Sequence, residues 1–135
     1  MSKLLSPEDR KFLRKGMKYF GVRMLKLEFS DSKKTYPDIW ISLDGQMPKI
    51  TVTREWMKQS SQERHKRLAH ELGGHYAFKW NHNEYMDKVG FSTYPNKDTM
   101  SPRIYKDLIS RRKLRKPQEY IQEALNELDK RTQRS

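Results

Sequence analysis

No proline interrupts residues 54–80, and that stretch sets the longest helix open to this chain. Its start is marked at Ser60-Ser61-Gln62-Glu63, a capping-box pattern in which the first serine satisfies a backbone N–H three residues on. Leu68, Ala69 and Leu72 then fall along the helix as its apolar positions. Two adjacent glycines, Gly73 and Gly74, lie inside the same stretch. Each costs a helix interior roughly 1 kcal/mol against alanine, so the pair marks a local need. The rest of the fold has to be built around this helix.

Upstream, Ser6-Pro7-Glu8-Asp9 has the order of a helix start: a serine cap, proline at the first helical position, then acids. Leu13, Met17 and Phe20 recur at helical spacing, and Gly21 is a natural stop. Three strand candidates follow. Val22–Phe29 places Leu25, Leu27 and Phe29 on one face by alternation. Ile39–Leu43 does the same with Ile39, Ile41 and Leu43, and Asp44-Gly45 is a turn signal. Ile50–Thr53 is a short β-branched strand.

Downstream, Gly90, Pro95 and Asn96 break residues 81–100 into irregular structure. Ser101-Pro102 reopens a helix to about Lys113. Pro117 opens a last one, with Tyr120, Ile121, Ala124 and Leu128 along one side. The expectation is an α+β fold: an N-terminal helix, a small three-stranded sheet, a long helix and C-terminal helices. With 135 residues and 34% hydrophobic content, the chain supports one modest core. We expect a main domain over residues 1–113, with 114–135 a helical extension packed on it or flanking it.

The chain has no cysteine, which excludes disulfides, thiolate metal sites and cysteine nucleophiles. Any metal must be held by imidazole and carboxylate groups. The long helix offers such groups, reading His70-Glu71-Leu72-Gly73-Gly74-His75. Zinc peptidases that carry His-Glu-x-x-His on a helix place two imidazoles at i and i+4, about 40° apart on the wheel. The intervening Glu serves there as general base for a water activated by the metal. In this chain the histidines are at i and i+5, which a regular α-helix sets about 140° apart. A π-bulge absorbs one extra residue, and Gly73-Gly74 is where backbone distortion meets least steric resistance. The competing reading makes Gly74 a helix C-cap and leaves His75 beyond the helix.

The six-residue string resembles the His-Glu-x-x-Gly-His motif of the dipeptidyl peptidase III family, which carries the same one-residue insertion in a zincin helix. That resemblance implies zinc ligation by His70 and His75 and a general-base role for Glu71. It covers six residues, so no dipeptide-releasing specificity carries over. The order of elements is similar to that of the minimal zincins called minigluzincins. The likeness implies that Ile50–Thr53 is the sheet-edge strand pairing with an extended peptide substrate.

A catalytic zinc needs a third protein ligand. His82, seven residues after His75, is the first candidate. Two straight helical turns would carry it ~10 Å away, so a chain reversal is needed. The metzincin pattern, with a glycine and then a third His after the motif, falls here on Phe78 and Asn81 and is missed at both. Asp98-Thr99-Met100-Ser101-Pro102 resembles the methionine turn under the metal in metzincins; core or loop is the alternative for Met100. Glu84, and Glu119 or Glu123 on the last helix, are the other ligand candidates. His65, among Arg64, Lys66 and Arg67, reads as an exposed helix residue. Tyr94 and Tyr105 are candidate oxyanion donors, with ordinary packing as the alternative. Trp40, Trp56 and Trp80 read as core or partly buried anchors.

The net charge is +12, a balance that suits nucleic acid or acidic partners. The densest run, Arg111–Lys116, also suits a solvated helix end or linker. Two function classes follow. One is a cytoplasmic zinc metallopeptidase acting on a peptide or protein substrate, with the helix from Pro117 a candidate cover over a latent cleft. The other is a basic nucleic-acid-binding module whose His-Glu segment is structural or degenerate. No membrane partner is expected, since there is no apolar run of ~18 residues and no secretory signal at the start.

Overall fold

The computed structural model describes residues 5–31, 38–82 and 100–134. Helix α1, Pro7–Phe20, begins where the Ser6 hydroxyl accepts from the Asp9 amide at 3.1 Å. It ends at Gly21, whose left-handed φ of 73° lets the Gly21 and Val22 amides bond back to Lys18 and Met17. Val22 therefore closes the helix, where the sequence suggested the opening of a strand. Strand β1 starts later and runs Lys26–Ser30.

Strands β2, Ile39–Ser42, and β3, Lys49–Thr53, pair antiparallel, with Ile41 opposite Ile50. β1 lies parallel to β3, with Leu27 opposite Ile50. The order β1-β3-β2 makes β3 the centre of the sheet, which corrects the edge position expected for Ile50–Thr53. The reason is burial: Ile50, Val52 and Thr53 are fully enclosed, as a strand covered on both faces requires. β1 and β2 stay half-exposed.

Thr53 links the sheet to the helices. Its hydroxyl donates to the Asp38 carbonyl at 2.8 Å and accepts from the Trp56 amide at 3.3 Å, capping the short helix α2, Arg54–Met57. Ser60 then caps α3, Ser61–Ala69, by accepting from Glu63 N at 3.2 Å. A π-helical segment, His70–Ala77, continues α3 without a break. Helices α4, Ser101–Ile109, and α5, Pro117–Arg134, follow. The α+β architecture expected from the sequence is the one observed.

α4 stops short of the expected Lys113. Arg111 takes a left-handed φ of 59°, and the Arg112 amide returns to the Asp107 carbonyl at 3.0 Å. A non-glycine residue performs the stop, so no glycine signalled it. Of the basic run, Arg111–Lys113 and Lys116 are exposed as expected, while Leu114 packs against the core and Arg115 is held by Asp107 and Glu123.

The core gathers Trp56, Leu68, Leu72, Ile104, Leu108 and Tyr120, all at most 1% exposed. α1, α3, the π segment and α4 pack around it. α5 belongs to the same core through Tyr120 and Ala124. The Tyr120 hydroxyl donates to Asp107 at 2.9 Å, and Arg115 donates to the same carboxylate at 2.8 Å. His65 is 7% exposed, which overturns its expected exposure. Asp9, delivered by α1, sits 2.8 Å from its Nε2, and Phe12 stacks on its ring at 4.2 Å. Trp56 and Trp80 are buried and Trp40 is partly so. Among the described residues no helix is long and apolar enough to cross a membrane.

Candidate metal centre

The extra residue between His70 and His75 is absorbed by whole π turns. The Phe78 amide bonds to the Gly73 carbonyl at 2.9 Å, an i→i+5 link that stacks residues five apart on one face. His70 and His75 come together, ring centroids 4.6 Å apart. The helix continues through Gly74 to Ala77, so the capped-helix alternative is excluded.

The glycines work differently from expectation, since neither takes a positive φ. A Cβ on Gly73 would lie 2.9 Å from the Phe20 ring and 3.2 Å from Ile104. Gly73 is there to let α1 and α4 close on the π segment. At Gly74 a Cβ would meet His70 Nδ1 at 3.7 Å, an ordinary contact.

Each imidazole is oriented through Nδ1. His75 Nδ1 lies 2.8 Å from the Trp80 carbonyl, which can only accept, so the proton sits on Nδ1 and the lone pair on Nε2. His70 Nδ1 is 2.8 Å from the Ser101 hydroxyl. Both Nε2 atoms face the buried Glu71 carboxylate, whose Oε2 lies 3.7 Å from His70 and 3.6 Å from His75. Engaging the second ring nitrogen with a carbonyl or hydroxyl is how metal-binding histidines are held in place.

His82 returns to this point by a chain reversal. After Phe78, Lys79 takes a left-handed φ of 58°, and the Trp80 amide bonds to the Gly74 carbonyl at 3.0 Å. The His82 ring ends 5.4 Å from His70 and 4.9 Å from His75, centroid to centroid. The ligand atoms of His70, His75 and His82 all lie within 4.8 Å of one another, close enough to hold a metal ion. Tetrahedral ligation at ~2.0–2.1 Å sets nitrogens about 3.4 Å apart, a distance that small side-chain rotations reach.

Comparison with protein families, with curated proteins and with solved structures finds no match in any of the three. The donor set must therefore speak for itself. Three imidazoles, no thiolate and one adjacent carboxylate make a nitrogen and oxygen donor set that could hold a metal ion. His82 is exposed while His70 and His75 are half-buried, so the cluster opens to solvent on the His82 side.

Of the other ligand candidates, Glu84 lies outside the described residues, as does the oxyanion candidate Tyr94. Glu123 accepts from Arg115 at 2.6 Å and pairs with Arg103 at 3.6 Å, while Glu119 is exposed on α5. Neither joins the histidine cluster. Tyr105 packs its ring against Phe12, and burial, then Glu8, raises the pKa of its hydroxyl. That is the packing alternative given for it. Met100 is buried directly before Ser101. Asp98 and Thr99 lie outside the described residues.

Sequence reasoning missed Ser101, Lys79 and the Trp80 carbonyl. Ser101 carried a signal only as the residue before a helix-opening proline. Lys79 carried none, because lysine seldom marks a left-handed turn.

Proposed function

We propose that this chain is a zinc-dependent peptidase in which His70, His75 and His82 hold the ion and Glu71 is the general base. The observation that carries the reading is the π segment, which turns an unworkable i,i+5 spacing into convergent imidazoles with a buried carboxylate between them. A bound zinc would supply Lewis acidity, lowering the pKa of water and polarising a carbonyl.

The chain's own residues account for the rest. Glu71, buried and within 4 Å of both imidazoles, takes a proton from the attacking water and passes it to the leaving amine. Trp80 O and Ser101 Oγ hold the imidazoles. β2 is an edge strand among the described residues and packs on the π segment. Its Ile39–Ser42 backbone, in place of β3, is the surface for an extended peptide. The resemblance to zincins supports the same chemistry.

The test is elemental analysis of wild type beside His70→Ala, His75→Ala and His82→Ala, with a quenched peptide library as the activity assay. One zinc per chain in wild type, lost in the variants, is expected. Glu71→Gln should keep the metal and lose about 10²–10⁴-fold in turnover. No zinc bound, and none taken up on titration, would sink the reading. Removing residues from Lys116 onward does not test latency cleanly, since it strips Tyr120 from the core.

A further inference from the structure

The positive charge of this chain is unevenly balanced. Arg54, Lys58 and Lys66 pair with Asp31, Glu55 and Glu63 at 3.0, 3.2 and 3.6 Å. In contrast, Lys11, Lys15, Lys18, Arg111, Arg112 and Lys113 enter no ion pair with a described carboxylate. All are exposed except Lys15, which is partly so.

These cations come from two runs that the fold joins. Glu8, Phe12, Lys15 and Tyr19 line one flank of α1 at spacings of four, three and four residues. Phe12 on that flank meets Tyr105 of α4. A Cβ at Gly16 would touch Leu108 at 4.0 Å. Tyr19 lies within the electrostatic reach of Tyr120, Asp107 and Arg115. The C-terminal half of α1 therefore approaches the C-terminal half of α4, Gly16 at Leu108 and Tyr19 at Asp107. Lys15 and Lys18 on α1 and Arg111–Lys113 after α4 share that end.

Two features separate this surface from an ordinary solvated one. Asp107, beside the end of α4, is buried and already occupied by Arg115 and Tyr120, and Glu8, one turn before Lys11, forms no ion pair with a described cation. Arg111 holds its place in a left-handed conformation that glycine would adopt without strain. The helix-end cation is kept at a cost of about 1 kcal/mol.

We propose that this end of the molecule is a docking surface for duplex nucleic acid, engaged through its phosphates. Lys11 to Lys18 spans ~10 Å along α1, and a duplex presents one charge per ~1.7 Å of axis. An anionic membrane fits less well. Interfacial binding needs a broad apolar face beside the cations, and the outer face of α1 carries Lys11, Arg14 and Lys18. The proposal is independent of the metal reading.

The experiment is anisotropy of a labelled duplex of about 20 base pairs, titrated from about 50 to about 200 mM salt. One variant is Arg111→Gly/Arg112→Ala/Lys113→Ala, in which glycine suits the left-handed turn. A second is Lys11→Ala/Lys15→Ala/Lys18→Ala. A control, Arg54→Ala/Lys58→Ala/Lys66→Ala, removes the same charge from paired positions. Wild type should bind with a steep salt slope. Each patch variant should lose about tenfold or more and flatten the slope by about 2–3, since each phosphate contact contributes ~0.9. The control and His70→Ala should stay near wild type. Equal losses in control and patch variants, absence of binding at the lowest salt, or binding to anionic lipid vesicles but not to duplex would each overturn the proposal.

Discussion

Two adjacent glycines occupy unequal positions. Gly73 faces a ring at 2.9 Å, and Gly74 has room for a methyl group. Gly73→Ala should destabilise the protein by about 1–3 kcal/mol, the usual cost of overpacking, while Gly74→Ala should stabilise it by up to about 1 kcal/mol. Urea denaturation of both variants checks this, and equal losses would show that space at Phe20 is not the reason for Gly73. Ser101 offers a second contrast. Its hydroxyl is 2.8 Å from His70 Nδ1, so Ser101→Ala should weaken metal affinity by about 10–100-fold with the fold retained. Chelator competition reads that loss, and unchanged affinity would reduce Ser101 to a helix-start residue. The sequence pointed by residue type to His70, His75 and His82, the three that the fold brings together. It could not disclose Ser101, because that contact joins residues that only the packing of α4 brings together.

The element that makes the site is α3 with its π continuation and the reversal at Lys79. Lysine at φ 58° directs the chain toward His82, and its Nζ also lies 4.6 Å from the centre of the Tyr76 ring. Lys79→Asn and Lys79→Val both remove that contact, so their difference isolates the backbone. Valine should cost about 1 kcal/mol more than asparagine and bind zinc more weakly. Thermal melts with and without metal test this; equal behaviour would mean the turn is held by its neighbours alone. Legibility at this scale follows the range of the interaction. Helix starts at Ser6 and Ser60 and the stop at Gly21 rest on neighbours in sequence, and they were readable. The strand order was not, because the central place of β3 depends on β1 pairing with it across the chain. His65 was misread for the same reason, its partner Asp9 lying on another helix. The stops at Lys79 and Arg111 were hidden because neither residue is glycine.

Across the whole molecule, α5 is fastened by the buried Tyr120, bonded to Asp107, with the partly buried Tyr19 beside it. Burial raises the pKa of both Tyr19 and Tyr120, and their mutual proximity adds to it at Tyr19. The neutral hydroxyls are thus favoured in the folded state. Their stabilising contribution is complete below the ordinary tyrosine value near 10 and is lost as pH rises past it toward the higher folded values. Stability should therefore fall above about pH 10. Tyr19→Phe should flatten that fall, measured as denaturant midpoints at neutral and alkaline pH. An unchanged alkaline slope would remove Tyr19 from the account.

The clustered histidines all lie between residues 70 and 82, and so does the carbonyl that orients His75. Closing so short a loop carries a small entropic cost, and contacts of low sequence separation form early in folding. On the proposed metal reading, an ion gathers these histidines before α1 and α4 have docked and acts as a nucleus for the π turns. Refolding with zinc present should accelerate for that reason, and the site would be among the last features surrendered as the surrounding domain loosens.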